Sequence, residues 1–178
     1  MSQIAYTARV CADPELIDSF LHDQRVGVLG LATDEYPYTV PVNYLWDQGS
    51  IYFHGMGSGK KVELLRNHPL ASFTVYTEYG TATDPAPCHA DTAYTSVMIF
   101  GPAEEVTDPV EASEALQGLV EKLMPGYYRN PVTARMVERY RSGMDANPVA
   151  VFRITPTHLS AKENRVDPGD LFTPLTND

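Results

Sequence analysis

The residues whose types and spacing could do chemistry lie together in a glycine-rich loop. An apolar run at 51–53 predicts a strand, and the chain then carries Gly55, Gly57, Gly59, Lys60 and Lys61 before a short amphipathic helix. Glycine lets the backbone turn tightly and brings its N–H groups close to a ligand. The first N–H groups of a helix lack internal partners, and the helix dipole favours negative charge there. Two ammonium groups at this point would suit a phosphate group.

The spacing in this loop excludes two common nucleotide-binding motifs. The dinucleotide fingerprint needs a particular glycine spacing that this segment does not supply, and the phosphate loop of nucleotide triphosphatases needs four residues between its glycines and a hydroxyl residue after its lysine. Here three residues separate Gly55 from Gly59, and Lys61 follows Lys60. A flexible hairpin loop followed by a solvated lysine pair remains an alternative that the segment alone does not exclude.

His54 ends the predicted strand directly before the loop. A histidine here could donate a proton to a reduced substrate, or it could hydrogen-bond a phosphate or a backbone carbonyl. We favour the hydrogen-bonding role, because a general acid needs a defined geometry toward its substrate. A second cluster, Cys88, His89 and Asp91, has no further ligand pair at zinc spacing, so we interpret it as a surface loop and predict no metal site.

Composition limits the class of protein. The chain has 178 residues and a formal net charge of −10, which argues against a nucleic-acid or anionic-membrane binder, because such surfaces are usually basic. Two cysteines, Cys11 and Cys88, do not form a disulfide framework. No run approaches the roughly 20 apolar residues of a membrane span, and no signal pattern opens the chain. We therefore expect a cytoplasmic protein.

The pattern along the chain predicts a mainly β fold of the α+β type. Asp13 and Pro14 open a first helix; further helices are predicted at 109–123 and 131–142, and strands at 26–33, 38–46, 51–54, 72–79, 94–103 and 149–155. Six short antiparallel strands predict a small barrel with peripheral helices. Pro41 indicates an edge, a bulge or a backbone that faces a ligand. We expect one domain over 1–165, with a helical insertion at about 109–143 and an extended tail at 166–178.

Several segments in this order resemble the flavin-binding split-barrel superfamily that includes pyridoxamine phosphate oxidase. They are Gly-Leu-Ala-Thr at 30–33, Tyr-Pro-Tyr-Thr-Val-Pro-Val-Asn-Tyr at 36–44, Ile-Tyr-Phe-His-Gly at 51–55, Gly-Lys-Lys at 59–61, Asn-His-Pro at 67–69 and Ser-Val-Met-Ile-Phe-Gly at 96–101. The resemblance covers roughly residues 10–160 and is greatest to the Nim-type nitroimidazole-resistance branch.

The resemblance implies a homodimer that binds flavin mononucleotide (FMN) at the subunit interface. It places the strand with Val40, Pro41, Val42 and Asn43 along the flavin ring, with backbone groups meeting the polar edge of the ring. It also places Gly55, Gly59, Lys60 and Lys61 around the phosphate, His54 near the flavin as the catalytic candidate, and Ser96 near the cofactor. Without the order of the motifs, Val40 and Val42 would be interpreted as ordinary barrel core.

The end of the chain departs from the oxidase pattern. Pyridoxamine phosphate oxidases end in a segment with arginine and histidine that holds the substrate phosphate, followed by a tryptophan. Here the corresponding segment reads Leu-Ser-Ala-Lys-Glu-Asn-Arg at 159–165, and the one tryptophan is Trp46. This departure argues against vitamin B6 oxidation, since a shared fold does not fix the substrate.

Two functional hypotheses follow. The first is an FMN-dependent oxidoreductase that passes electrons from a reduced nicotinamide donor to a small acceptor, nitroaromatic or quinone-like. The second is a carrier or sensor of the same fold that binds flavin or haem without turnover, with His54, His89 and His158 as candidate axial ligands. Absorption spectra of the purified protein distinguish bound flavin from bound haem, and steady turnover of reduced nicotinamide distinguishes an enzyme from a carrier.

Overall fold

The computed structural model describes residues 6–174 and contains nine strands and four α-helices in that range. The strands are β1 (Val10–Cys11), β2 (Val26–Leu31), β3 (Tyr38–Asn43), β4 (Leu45–Asp47), β5 (Ser50–Met56), β6 (Leu70–Ala82), β7 (Asp91–Glu105), β8 (Val149–Ile154) and β9 (His158–Asn164). The helices are α1 (Pro14–Asp23), α2 (Lys60–Asn67), α3 (Pro109–Leu123) and α4 (Ala134–Arg139). No helix in this range is long and apolar enough to cross a membrane.

All strand pairings are antiparallel, and the main path through the sheet is β3-β2-β6-β7-β8-β5-β4. Strand β9 pairs with β7 beside this path, and β1 pairs with β9. The path is open, because its two end strands, β3 and β4, are joined through Tyr44 along the chain and do not form a ladder with each other. The predicted mainly β, antiparallel class is confirmed, and the barrel is a split one.

The long strand β7 connects the two halves of the sheet. Its first part pairs with β9 as far as Phe100, and its last part pairs with β8 from Ala103 onward. Gly101 lies at this change of partner, and a Cβ on it would collide with the carbonyl oxygen of Thr155. The backbone crossing therefore requires glycine at this position.

One hydrophobic core fills the space between the curved halves of the sheet. Strands alternate their side chains between two faces, and the inward set includes Leu29, Phe53, Phe73, Val97 and Phe152, all buried. Phe53 and Phe152 stack with ring centroids 5.5 Å apart. Helix α2 closes one end of this core with Val62, Leu64 and Leu65. The core thus holds β5 and α2, the elements that flank the glycine loop, in a fixed relation.

The structure differs from the sequence-based expectations at several elements. It divides the predicted strand at 38–46 into β3 and β4, and it adds β1 and β9 to the expected set. The helix predicted at 131–142 is shorter in the structure, where it is α4 (Ala134–Arg139). It begins after Thr133 and not at Pro131, because the Thr133 side chain accepts from the N–H of Met136 and so caps the first turn. In the tail predicted at 166–178, Leu171 bridges to Ala82 on β6 and the N–H of Phe172 donates to the carbonyl of Thr81, whereas residues 175–178 lie outside the described part of the chain.

Candidate functional site

The glycine loop joins the end of β5 to the start of α2, as its sequence predicts. Gly59 is the N-cap of α2 with φ +101°, a conformation that side chains rarely adopt, and it offers no side-chain cap to the helix. The first backbone bond of the helix runs from the N–H of Glu63 to the carbonyl of Gly59, at 3.0 Å. The N–H groups of Lys60, Lys61 and Val62 therefore lack an acceptor within the helix, which is the arrangement that binds anions.

The two lysines of this loop have different surroundings. Lys60 is exposed, whereas Lys61 is half-buried with its ammonium 5.7 Å from the centre of the Phe53 ring. Burial lowers the pKa of Lys61 below its ordinary value. Within residues 6–174 neither lysine forms an ion pair or a side-chain hydrogen bond. Both ammonium groups are therefore available to an anionic ligand.

Gly55 leaves room for the Lys61 side chain. A Cβ built on Gly55 would lie 2.7 Å from the Lys61 ammonium nitrogen. Without that side chain, the ammonium lies directly against the backbone of β5. Glycine at this position thus allows the half-buried Lys61 to lie over the end of β5. The sequence alone does not reveal this contact.

The rest of the loop is fixed by the segment that precedes β8. The Ser58 hydroxyl donates to the carboxylate of Asp145 at 2.6 Å, and a Cβ on Gly57 would lie 2.5 Å from the carbonyl oxygen of Pro148. Hydrogen bonds from Ser58 and Asn147 hold the pKa of Asp145 well below its usual range, so this carboxylate is charged. The loop with its two lysines therefore lies beside one carboxylate of the segment before β8.

Strand β3 lies at one end of the sheet path, with β2 as its sole strand partner among residues 6–174. Val40 and Val42 are half-buried against the core, whereas Pro41 and Asn43 point to the outer face. The Asn43 side-chain amide donates to the carbonyl of Arg25 at 3.1 Å. Pro41 is thus at an edge, one of the positions that its ring allows, and the free edge of β3 leaves backbone groups for a ligand.

Ser96 lies apart from the other predicted site residues. It is on the outer face of β7, opposite Tyr76 on β6 and Lys162 on β9. Three strand spacings, about 14 Å in total, separate β7 from β3 along the sheet. Ser96 therefore shares the outer face of the sheet with Pro41 and Asn43 but not with Val40 and Val42, and it adjoins none of them within one chain.

His54 is on the face of β5 opposite to Phe53, so its imidazole points away from the core. The ring is solvent-accessible at one side and lies against the wall of a cavity. Burial of the rest of the ring, and then the positive charge of Lys61, lower the pKa of His54 below its ordinary value of 6.5. The imidazole is consequently neutral at pH 7, and can donate through one ring nitrogen and accept through the other.

The cavity beside His54 has a volume of about 640 Å³. Its floor is the end of β5 and the start of β8, and its walls come from α3, α4 and the loops around α4. Apolar side chains dominate the lining; they include Leu116, Leu119, Met136, Val137 and Met144. A volume of this size is typical of sites for small ligands.

Sequence reasoning did not identify this cavity. It assigned the helices at 109–123 and 131–142 to an insertion without a function. One signal was available, since Met124, Met136 and Met144 recur through the segment after α3, and methionine is frequent at adaptable binding surfaces. These methionines indicate a binding surface only in the folded chain, where their segment lies over β5.

A polar network that was also not predicted fixes α3 over the sheet beside this cavity. Arg153 on β8 donates to Glu111 at 2.7 Å and to Glu104 at 3.1 Å, and the Tyr52 hydroxyl donates to Glu111 at 3.0 Å. Burial, and then the hydrogen bond to Glu111, raise the pKa of Tyr52, so its hydroxyl keeps its proton. The network positions α3 rather than contacting the cavity.

The structure thus brings five of the predicted residues together and leaves the others apart. His54, Gly55, Gly59, Lys60 and Lys61 lie around the β5–α2 junction. Among the histidines proposed as axial ligands, His54 lines the cavity, whereas His89 and His158 lie on other elements and do not line it. No group of three or more His, Cys, Asp or Glu side chains within residues 6–174 could hold a metal ion.

The sequence model of the family "Pyridoxamine 5'-phosphate oxidase" matches residues 13–163. No curated protein sequence matches the chain significantly.

Solved structures with similar folds include several flavin proteins. The flavocytochrome Anf3 from Azotobacter vinelandii aligns with a TM-score of 0.77 at 22% identity, over 94% of this chain and 77% of that one. An FAD- and haem-binding protein from Mycobacterium smegmatis aligns with a TM-score of 0.73 at 17% identity, over 89% and 74% of the two chains. A candidate 5-nitroimidazole antibiotic resistance protein from Bacteroides thetaiotaomicron gives 0.64 at 21% identity, over 86% and 85%. These identities establish a shared fold.

Proposed function

The chain belongs to the pyridoxamine 5'-phosphate oxidase family, and from this membership and the geometry of the β5–α2 junction we propose that it is an FMN-binding oxidoreductase. The observation that carries the proposal is a helix N-terminus without a side-chain cap, flanked by two lysines that pair with no carboxylate of residues 6–174, in a chain of net charge −10. Such a cluster in an acidic protein favours an anionic ligand such as a phosphate group.

The residues present fit the phosphate end of this cofactor. Backbone N–H groups of α2 would donate to the phosphate oxygens, and Lys60 and Lys61 would neutralise their charge. The free edge of β3 would align the ring through backbone groups of residues 40–43. Asp145 opposes the anion, and its hydrogen bonds from Ser58 and Asn147 spread the charge of its carboxylate.

FMN, when bound, supplies the transfer of a hydride or single electrons from a reduced nicotinamide to an acceptor. The chain itself supplies position, exclusion of water and one titratable group near the cavity. His54 is neutral at pH 7 and can donate a hydrogen bond to an acceptor or to a cofactor carbonyl. Its role in this proposal is to orient a ligand, with proton donation as the alternative.

A homodimer is part of the proposal, and the position of Ser96 supports it. Ser96 lies about 14 Å along the sheet from β3, on a face that is exposed in the single chain. A partner subunit packed on that face would bring its own Ser96 toward the cofactor of the first subunit. Vitamin B6 oxidation is not proposed, because the segment after residue 158 forms β9 and carries no arginine–histidine clasp.

The first prediction tests the phosphate cradle. Replacing Lys60 or Lys61 with alanine should weaken FMN binding by about 10–100-fold for each lysine, since a charge-assisted hydrogen bond contributes roughly 1.5–3 kcal/mol. Riboflavin, which has the same ring but no phosphate, should bind the variants as it binds the parent protein. Isothermal titration calorimetry with both ligands measures the two effects.

Arg165→Ala is the matched control, because this exposed cation pairs with Glu163 at the end of β9 and lies away from the loop. It should leave the affinity for FMN unchanged. Equal losses of FMN and riboflavin in Lys60→Ala and Lys61→Ala would show that the lysines act through the fold and not through the phosphate.

A second candidate is a haem-binding carrier, which the cavity beside His54 supports. An imidazole and several methionines border the same apolar space, and these are ligand types that haem iron accepts. A Soret band in the purified protein, lost in His54→Ala, would favour this candidate over the first. Flavin absorption bands together with turnover of a reduced nicotinamide would favour the oxidoreductase.

A further inference from the structure

The segment between α3 and β8 differs in charge from the rest of the molecule. Residues 124–148 contain four of the nine arginines of the chain, Arg129, Arg135, Arg139 and Arg141, against two carboxylates, Glu138 and Asp145. One of these carboxylates, Asp145, is already engaged by Ser58 and Asn147. A local excess of positive charge therefore covers one side of a protein whose net charge is −10.

The same segment forms the apolar cavity beside His54. Helix α4 contributes Met136 and Val137 to the lining, and Tyr140 follows at its end. Arg135 and Arg139 are four residues apart and share one face of this helix, next to the face that lines the cavity. Both are exposed, and neither forms an ion pair or a side-chain hydrogen bond within residues 6–174. Unpaired guanidinium groups thus flank the rim of an apolar space.

The cavity and the phosphate cradle lie on opposite faces of β5. The missing Cβ of Gly55 points to the Lys61 ammonium, whereas the neighbouring side chain of His54 points to the cavity. A phosphate held by Lys61 and a molecule in the cavity would therefore be separated by the strand. The two sites can be filled at the same time.

From these observations we propose that the cavity binds a second ligand, an aromatic or aliphatic molecule with one anionic group. The apolar body would fill the space between Leu116, Leu119, Met136 and Val137, and the acid would lie at the rim near Arg135 and Arg139. Neutral His54 supplies the polar contact inside. A role of this ligand as the electron acceptor would rest on the proposed flavin function; its chemical class does not.

The probe for the test is 8-anilinonaphthalene-1-sulfonate, and the matched ligand is N-phenyl-1-naphthylamine, which has the same rings without the sulfonate. Calorimetric titrations are made with flavin-free protein and with protein saturated with FMN. The sulfonate should bind once per chain and at least ten times more tightly than the neutral compound, in both forms of the protein. Unchanged near-ultraviolet circular dichroism excludes binding to a loosened core.

Variants test the arginine rim and the apolar interior of the cavity separately. Arg135→Ala and Arg139→Ala should each lower the affinity for the sulfonate several-fold and leave that for the neutral compound unchanged, whereas Arg165→Ala, on the far side of the chain, should change neither. Val137→Phe should weaken both ligands by filling the cavity. Val110→Phe, at an exposed position of α3 outside the lining, is its control.

Three results would overturn the proposal: equal affinity for the two compounds, an unaffected Val137→Phe variant, or one-for-one displacement of the sulfonate by FMN. The last result would mean that the cavity is the flavin site. If the protein binds no FMN, the proposed function fails, but the titrations of the flavin-free protein still decide the ligand class of the cavity.

Discussion

At the scale of single residues, His54 connects the two parts of the site. Its ring lines the cavity, and its pKa is lowered by partial burial and by Lys61 across the strand end. Because the native state disfavours the protonated ring, the unfolded chain takes up this proton first as the pH falls below about 6.5. The contribution of His54 to stability is therefore present above that pH and is lost as the pH falls through the lower native pKa.

The prediction at this scale concerns the charge that acts on His54. Lys61→Met should raise the pKa of His54, since it removes the charge that opposes protonation, whereas Lys60→Met should leave it nearly unchanged. Nuclear magnetic resonance titration of the imidazole protons measures both. A His54 pKa at or above 6.5 in the parent protein, or equal shifts in the two variants, would contradict the assigned cause.

At the scale of elements, strand β7 determines how the two halves of the sheet meet. Gly101→Ala should destabilise the protein by at least about 1–3 kcal/mol, because a methyl group there meets the backbone carbonyl of Thr155, which cannot rotate away as a side chain can. Denaturation in urea measures the change. Gly169→Ala is the control, since its Cβ would have no heavy atom within 4 Å, and similar losses in both variants would contradict the argument.

At the scale of the whole molecule, the outer face of the sheet is the candidate subunit interface. Register aligns Val28, Thr74 and Met98 in one row across β2, β6 and β7. Val28 and Met98 are 44% and 41% exposed, and Tyr76 nearby is 52% exposed. Exposed apolar side chains grouped on one face of a sheet are typical of a surface that another chain covers.

The corresponding prediction is that Val28→Lys or Met98→Lys converts a dimer into monomers and weakens FMN binding, because the cofactor is proposed to lie at the interface. Analytical ultracentrifugation gives the mass. Val110→Lys, at an exposed position of α3, should leave both mass and FMN affinity unchanged. A parent protein that binds FMN as a monomer would refute the dimer.

Most of the fold was predictable from local sequence signals. Asp13 caps α1 by accepting from the N–H groups of Glu15 and Leu16, as an aspartate before a proline predicts. The strands rich in apolar, β-branched and aromatic residues were also predictable, because these residue types favour strands and pack against the apolar faces of the other strands. Strand β9 was missed because its sequence includes Lys162, Glu163 and Asn164, and its conformation depends on pairing with β7.

The sequence by itself determined the types of chemistry present: a glycine loop, two lysines and a histidine at a strand end, in an acidic chain. Their spacing is local, so a strand, a turn and a helix suffice to bring them together. Only the tertiary structure decided that Lys61 and His54 lie on opposite faces of β5, and that the distant segment from α3 to the start of β8 covers the second face. Side-chain direction and contacts between distant segments depend on packing, which no local pattern encodes.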